Sequence, residues 1–139
     1  MTQASAQKRH NPAALFDPTP YGFSHVAVVP TGSKIIYVAG QGGEEDTTGT
    51  LSTSFRRQVQ YVLRNIQTAL ASQGAGMESV VKVTTLVVDL NTEKLGIIIE
   101  EFKRIWPDKK FPVNTLIPVP KLALEGMLVE IDATAIGKE

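Results

Sequence analysis

The chain is predicted to form an α+β domain in the order ββαβαββ, a mixed sheet with two helices on one face. Three observations carry that expectation. Apolar residues alternate with period two in several runs and recur at helical spacing in two others, and the two kinds of segment interleave along 139 residues.

His25-Val-Ala-Val-Val-Pro30 and Lys34-Ile-Ile-Tyr-Val-Ala39 are rich in β-branched residues and flank Thr31-Gly32-Ser33, a connection suited to a hairpin, so an antiparallel pair is expected. The segment GQGGEEDTTGTLSTS is a loop, because Gly, Ser, Thr and acids tolerate unusual dihedrals or bond their own backbone. Phe55, Val59, Val62, Ile66 and Leu70 then define an amphipathic helix that Gly74 and Gly76 stop. Val80 to Leu90, VVKVTTLVVDL, is dense in β-branched residues and apolar on both pleat faces, as in a central strand. Leu95, Ile98, Ile99, Phe102 and Trp106 mark a second helix, begun near Asn91 or Thr92 and ended before Pro107. In the closing strand Met127, Val129, Ile131, Ala133 and Ala135 share the core face, and Leu128, Glu130, Asp132 and Thr134 share the other.

No repeat or linker divides the chain, so residues 1–17 are read as a leader and 18–139 as one domain. With both helices on one face, Leu86, Val88 and Leu90, or their opposites on that strand, would be exposed in a monomer, and oligomerisation is expected on that ground. No apolar run reaches the roughly 20 residues of a membrane helix, and no membrane partner is expected. The N-terminus lacks the apolar stretch of a secretory signal and the chain has no cysteine, which points to a cytoplasmic location. Lys+Arg 14 against Asp+Glu 14 leaves no net field to gather a polyanion, so no nucleic-acid partner is expected.

Several chemistries find no support. His10 and His25 are the only histidines, and neither has the companions of a catalytic triad. Glu44, Glu45 and Asp46 lack the ordered oxygen spacing of a calcium loop and read as a solvated turn. GQGG neither ends in Lys-Ser/Thr nor leads directly into a helix; its glycines suit close backbone approach rather than a phosphate. Neither a metal nor a cofactor is expected. By spacing alone Glu130 and Asp132 are a solvated strand surface, and Asn114 is a strand-edge or turn residue bonding its own backbone.

The ordered motifs PYGFSHVAVV, IIYVAGQ, VQYVLRNIQTALASQGAGMESVVKVTTLVVDL, FPVNTL and MLVEIDATA resemble the RidA/YjgF family, also labelled L-PSP endoribonuclease, from about Pro18 to Ala135. The resemblance implies a chorismate-mutase-like fold, a homotrimer with sheets facing inward, and small-molecule clefts between subunits. It also implies hydrolysis of enamines and imines to keto acids and ammonia. The family's closing-strand glutamate, placed near the attacking water, corresponds to Glu130. Tyr21, Ser24, Gly40, Gln41, Asn114 and Thr115 fall in segments that line the cleft.

One position departs from that pattern. Where the deaminases hold the substrate carboxylate with an arginine, Pro112-Val113-Asn114-Thr115 places Asn114, and KLGIIIEEF is aliphatic where they carry a helical asparagine. A guanidinium–carboxylate pair contributes about 1.5–3 kcal/mol and a neutral amide about 0.5–1.5. The resemblance therefore implies a substrate outside the usual carboxylate imines, or, with Lys121 or a neighbouring subunit's lysine replacing the arginine, a compensated one. Three functions follow from it: a hydrolase using Glu130-held water, a trimeric binding or regulatory protein without turnover, and a ribonuclease, which the balanced charge disfavours.

Overall fold

The computed structural model describes residues 7–137. Strands β1 (Lys8–His10) and β2 (Val26–Val28) form a small antiparallel sheet. Apart from two single 3-10 turns, Thr19–Tyr21 and Met77–Ser79, the remaining elements are β3 (Lys34–Gln41), α1 (Phe55–Ala71), β4 (Val80–Val88), α2 (Thr92–Ile105), β5 (Val113–Val119) and β6 (Val129–Gly137). Their four strands lie in the order β3-β6-β4-β5, with β4 and β5 parallel and the other pairs antiparallel. The α+β class and the mixed sheet agree with the sequence expectation.

Both helices form where the periodicity places them. The Ser54 hydroxyl accepts from Arg57 N–H at 3.2 Å and the Asn91 side chain from Lys94 N–H at 2.8 Å, each satisfying a donor left free by the first turn. Beyond α1, Gly74 adopts a φ of 72°, the left-handed conformation that glycine takes without a Cβ penalty. Val59, Val62, Ile66 and Leu70 of α1 meet Val83, Val87, Val129, Ile131 and Ala133 of the sheet, and Ile98 and Phe102 of α2, with Trp106 just beyond its end, join the same core. The Trp106 indole N–H donates to Met77 O at 3.0 Å, so the buried ring carries no orphaned donor.

Three expectations are corrected. The hairpin does not form: β2 pairs with β1, and β3 pairs with β6. β3 needs a long partner, which the nine-residue β6 provides, while the three-residue β2 is matched by an equally short strand. Residues 8–10 of the leader are thus part of a sheet, and Arg9 donates to Phe111 O and Val80 O. Burial beside those carbonyls lowers the pKa of the Arg9 guanidinium, partly countered by Asp108. Second, β4 is not apolar on both faces. Val83, Thr85 and Val87 face the helices, whereas the opposite face presents Lys82 and Thr84 beside Leu86 and Val88. Third, Leu90 packs against the core instead of joining the open face.

The Gly-rich loop is fixed to α1. The Asn65 amide donates to Gly42 O (3.0 Å) and Glu44 O (2.9 Å), and Arg57 pairs with Glu45. A Cβ on Gly43 would lie 2.7 Å from Gln58 Cα, so this glycine permits the close approach expected of GQGG. Asp46 accepts from Thr48 N–H, Thr48 O–H and Thr50 N–H; these bonds hold its carboxyl well below the usual range. The acids Glu45 and Asp46 thereby serve the loop itself.

Candidate functional site

The candidate residues divide between the two faces of the sheet. Asn114 opens β5 beside Val83 of β4, and its Oδ1 accepts from the Thr85 hydroxyl at 3.0 Å. Thr85 is fully buried on the helix side, so Asn114 belongs to that side. Glu130 pairs with Leu86. Because residues 85 and 86 point to opposite faces of a pleated strand, the carboxylate of Glu130 lies on the open face.

Around Asn114 is a groove of about 470 Å³. Phe16, Tyr21 and Phe23 form one wall, Leu95, Ile98 and Ile99 of α2 the other, and Asn114 and Leu116 the floor. Asn114 is the only amide among these residues, and none of them is charged. Edge-to-face packing builds the aromatic wall: Phe16 lies 5.9 Å from Tyr21 and 6.1 Å from Phe23, and His25 stacks on both phenylalanines. The His25 ring is also within hydrogen-bond distance of Phe16 O, at 2.9 Å. Leu95 and Ile99, read in the sequence with the core stripe, thus form a ligand-sized wall. Lys121 is exposed, 3.9 Å from Glu125, and is absent from the lining.

On the open face Gly40, Thr84, Leu86, Glu130 and Asp132 surround a depression of about 70 Å³, room for water rather than for a metabolite. Gly40 leaves room for the Glu130 carboxylate in this position, since a Cβ would sit 2.8 Å from Glu130 Cδ. Among the described residues, no donor is hydrogen-bonded to the Glu130 carboxylate, whereas Asp132 accepts from Thr84 N–H at 2.9 Å. Thr115, the parallel partner of Thr84, is exposed.

Ser24 and Gln41 are committed to the backbone. Ser24 is 2% exposed, donates its hydroxyl to Phe111 O at 2.7 Å, and forms an isolated bridge with Val113. Gln41 donates to Ala39 O at 3.1 Å. The sequence reading had not singled out Phe16, Phe23, Thr85 or Leu116. Leu116 was within its reach, for it stands two residues from Asn114 on the same pleat.

The Endoribonuclease L-PSP family profile matches residues 17–137. The chain belongs to the RidA/YjgF family. A RutC family protein of Drosophila melanogaster is 32% identical over 104 residues, covering 74% of this chain and 72% of its own. A crystal structure of a Rid family protein of unknown function from Yersinia pestis superposes with a TM-score of 0.88 at 30% identity, covering 94% of this chain and 98% of that one. E. coli TdcF with bound serine shares the fold, with a TM-score of 0.68 at 22% identity over 79% of this chain and 85% of its own. Among the described residues no helix is long and apolar enough to cross a membrane.

Proposed function

We propose that the chain is a cytoplasmic homotrimer whose intersubunit cleft binds a small neutral metabolite and hydrolyses a C=N bond in it with water held by Glu130. The observation that carries this reading is the separation of Asn114 and Glu130 on opposite faces of one sheet. Each protomer then offers an apolar groove on one side and a carboxylate beside a water-sized depression on the other, and a neighbouring copy brings the two halves together. The open face supports such packing, for Ile35 (44% exposed), Tyr37 (81%), Leu86 and Val88 lie there among polar neighbours. In this reaction Glu130 accepts a proton from water, the oxygen adds to the imine carbon, and nitrogen leaves as ammonia after protonation. Asn114, with no charge, binds carboxylate imines weakly.

A trimer that binds without turnover is the second reading, favoured by the absence of any cation in the groove. The ribonuclease label finds no basic track in a chain of 14 acids and 14 bases.

Sedimentation tests the assembly; a stable monomer at micromolar concentration removes the cleft. Coupled ammonia-release assays test the chemistry on iminopropionate and on a neutral imine of similar size. The wild type is expected to be roughly ten- to a hundredfold slower on the carboxylate substrate than its Asn114→Arg variant, as the loss of a charge-assisted bidentate contact implies. Glu130→Gln is expected to fold and assemble but to lose turnover. Fast wild-type turnover of the carboxylate imine refutes the role of Asn114, and an active Glu130→Gln refutes that of Glu130.

A further inference from the structure

The Thr85 hydroxyl is fully buried, and among the described residues its one hydrogen bond is to Asn114 Oδ1, at 3.0 Å. A hydroxyl proton in such a place needs an acceptor, and Oδ1 is the acceptor within reach. The opposite amide orientation would leave that proton unpaired in the core, so Thr85 sets which way the Asn114 amide faces. Asn114 Oδ1 then has one of its two lone pairs committed to Thr85, and the NH2 group, with no hydrogen bond among the described residues, is the freer end for a ligand. Apart from the Tyr21 hydroxyl at its rim, the rest of the groove is hydrocarbon: Phe16, Phe23, Leu95, Ile98, Ile99 and Leu116.

We infer that Thr85 is a specificity-determining residue that fixes the Asn114 amide with its NH2 group free for a ligand, so that the groove selects neutral ligands with a carbonyl or imine acceptor on an aliphatic or aromatic body. The inference rests on the groove being the ligand site proposed above. A carboxylate would enter without a counter-charge, and an ammonium group would meet donors facing donors. A ketone or imine of branched C5–C7 size satisfies the amide and fills the walls.

The test uses three probes of one shape, 4-methyl-2-pentanone, 3-methylbutanoate and 1,3-dimethylbutylammonium, titrated into the full-length protein and followed by the Asn114 side-chain amide and the Ile98, Ile99 and Leu116 methyl resonances. The ketone is expected to shift these signals with at least about fivefold higher affinity than either charged probe, the effect of one neutral hydrogen bond. Thr85→Val, nearly isosteric, is expected to reduce the ketone preference about fivefold, and Thr85→Ser to retain it. Thermal melts of both variants establish that they fold. A ketone preference unchanged in folded Thr85→Val overturns the role of Thr85 and leaves the groove standing. Ketone binding that moves none of the groove resonances, or no binding by any probe, overturns the groove and the inference with it.

Discussion

Gln58→Met removes a side chain that ties three segments together. Gln58 is fully buried on α1, and its Nε2 donates to Ser52 O (2.7 Å) and Gly126 O (2.8 Å) while its Oε1 accepts from Leu128 N–H (2.9 Å). One amide thus satisfies three backbone groups: one in the loop before α1, one in the loop before β6, and one in the residue that leads into β6. Methionine matches the length and fills the volume but makes none of these bonds. Leaving a buried backbone group unpaired costs about 1–3 kcal/mol, and these three lie near enough to the surface for water to reach some of them, so the lower end applies. Three such losses, partly offset by about 1 kcal/mol of more favourable thioether burial, give a net destabilisation of about 2 kcal/mol. At roughly 3–5 °C per kcal/mol for a chain of this size, Tm is expected to fall by about 6–10 °C. Urea unfolding followed by circular dichroism measures the free energy, and hydrogen exchange reads the Leu128 amide, which is expected to lose protection. A loss below about 0.5 kcal/mol, or a Leu128 amide as protected as in the wild type, refutes the argument that Gln58 holds these loops.

Two further substitutions and one titration probe the same region. Gly43→Ala places a Cβ against the α1 backbone, which cannot yield, and is expected to cost about 1–3 kcal/mol in denaturant melts; wild-type stability would show that the loop shifts freely. Gly40→Ala meets only the Glu130 carboxylate, a flexible group, so Tm is expected to hold while any turnover falls, and unchanged turnover would count against a positioned Glu130. Because hydrogen bonds from Thr48 and Thr50 depress the Asp46 pKa, its stabilisation of the loop is complete above the unfolded value of about 3.9 and is lost as pH falls through the lower folded value. The Thr48 and Thr50 amide resonances are expected to titrate below pH 3.9 in the wild type and not in Asp46→Asn; a midpoint at or above 3.9 contradicts this.

What the sequence disclosed follows the range of each signal. Helix α1 was legible because Phe55, Val59, Val62, Ile66 and Leu70 carry its period locally, and β6 because Val129 to Ala135 alternate without interruption. Strand partners are not local. Nothing in Lys8-Arg9-His10 marks a strand, so β2 was assigned to its nearest neighbour along the chain when its partner is β1. Likewise the width of the α2 stripe, Leu95 through Trp106, was visible, but that Leu95 and Ile99 line a groove while Ile98, Phe102 and Trp106 enter the core is a matter of tertiary packing. Thr85 illustrates the limit: its link to Asn114 exists only because β4 and β5 run parallel in the register Val83 to Asn114.

The same register constrains any chemistry. Asn114 reaches the groove through the helix-facing pleat of β5, and Glu130 reaches the depression beside Gly40 through the opposite pleat of β6, with β4 between them. A water held by Glu130 must approach to about 3 Å of the atom it attacks. Within one protomer the sheet itself stands between that water and a ligand seated on Asn114. The groove residues named above belong to one protomer, and Glu130 of that protomer is not among them. On the proposed mechanism, hydrolysis of a ligand bound there would require a second protomer whose open face carries Glu130 to the groove's mouth. If the proposal holds, affinity and turnover would depend on different levels of structure, the first on the Thr85–Asn114 pair and the second on assembly.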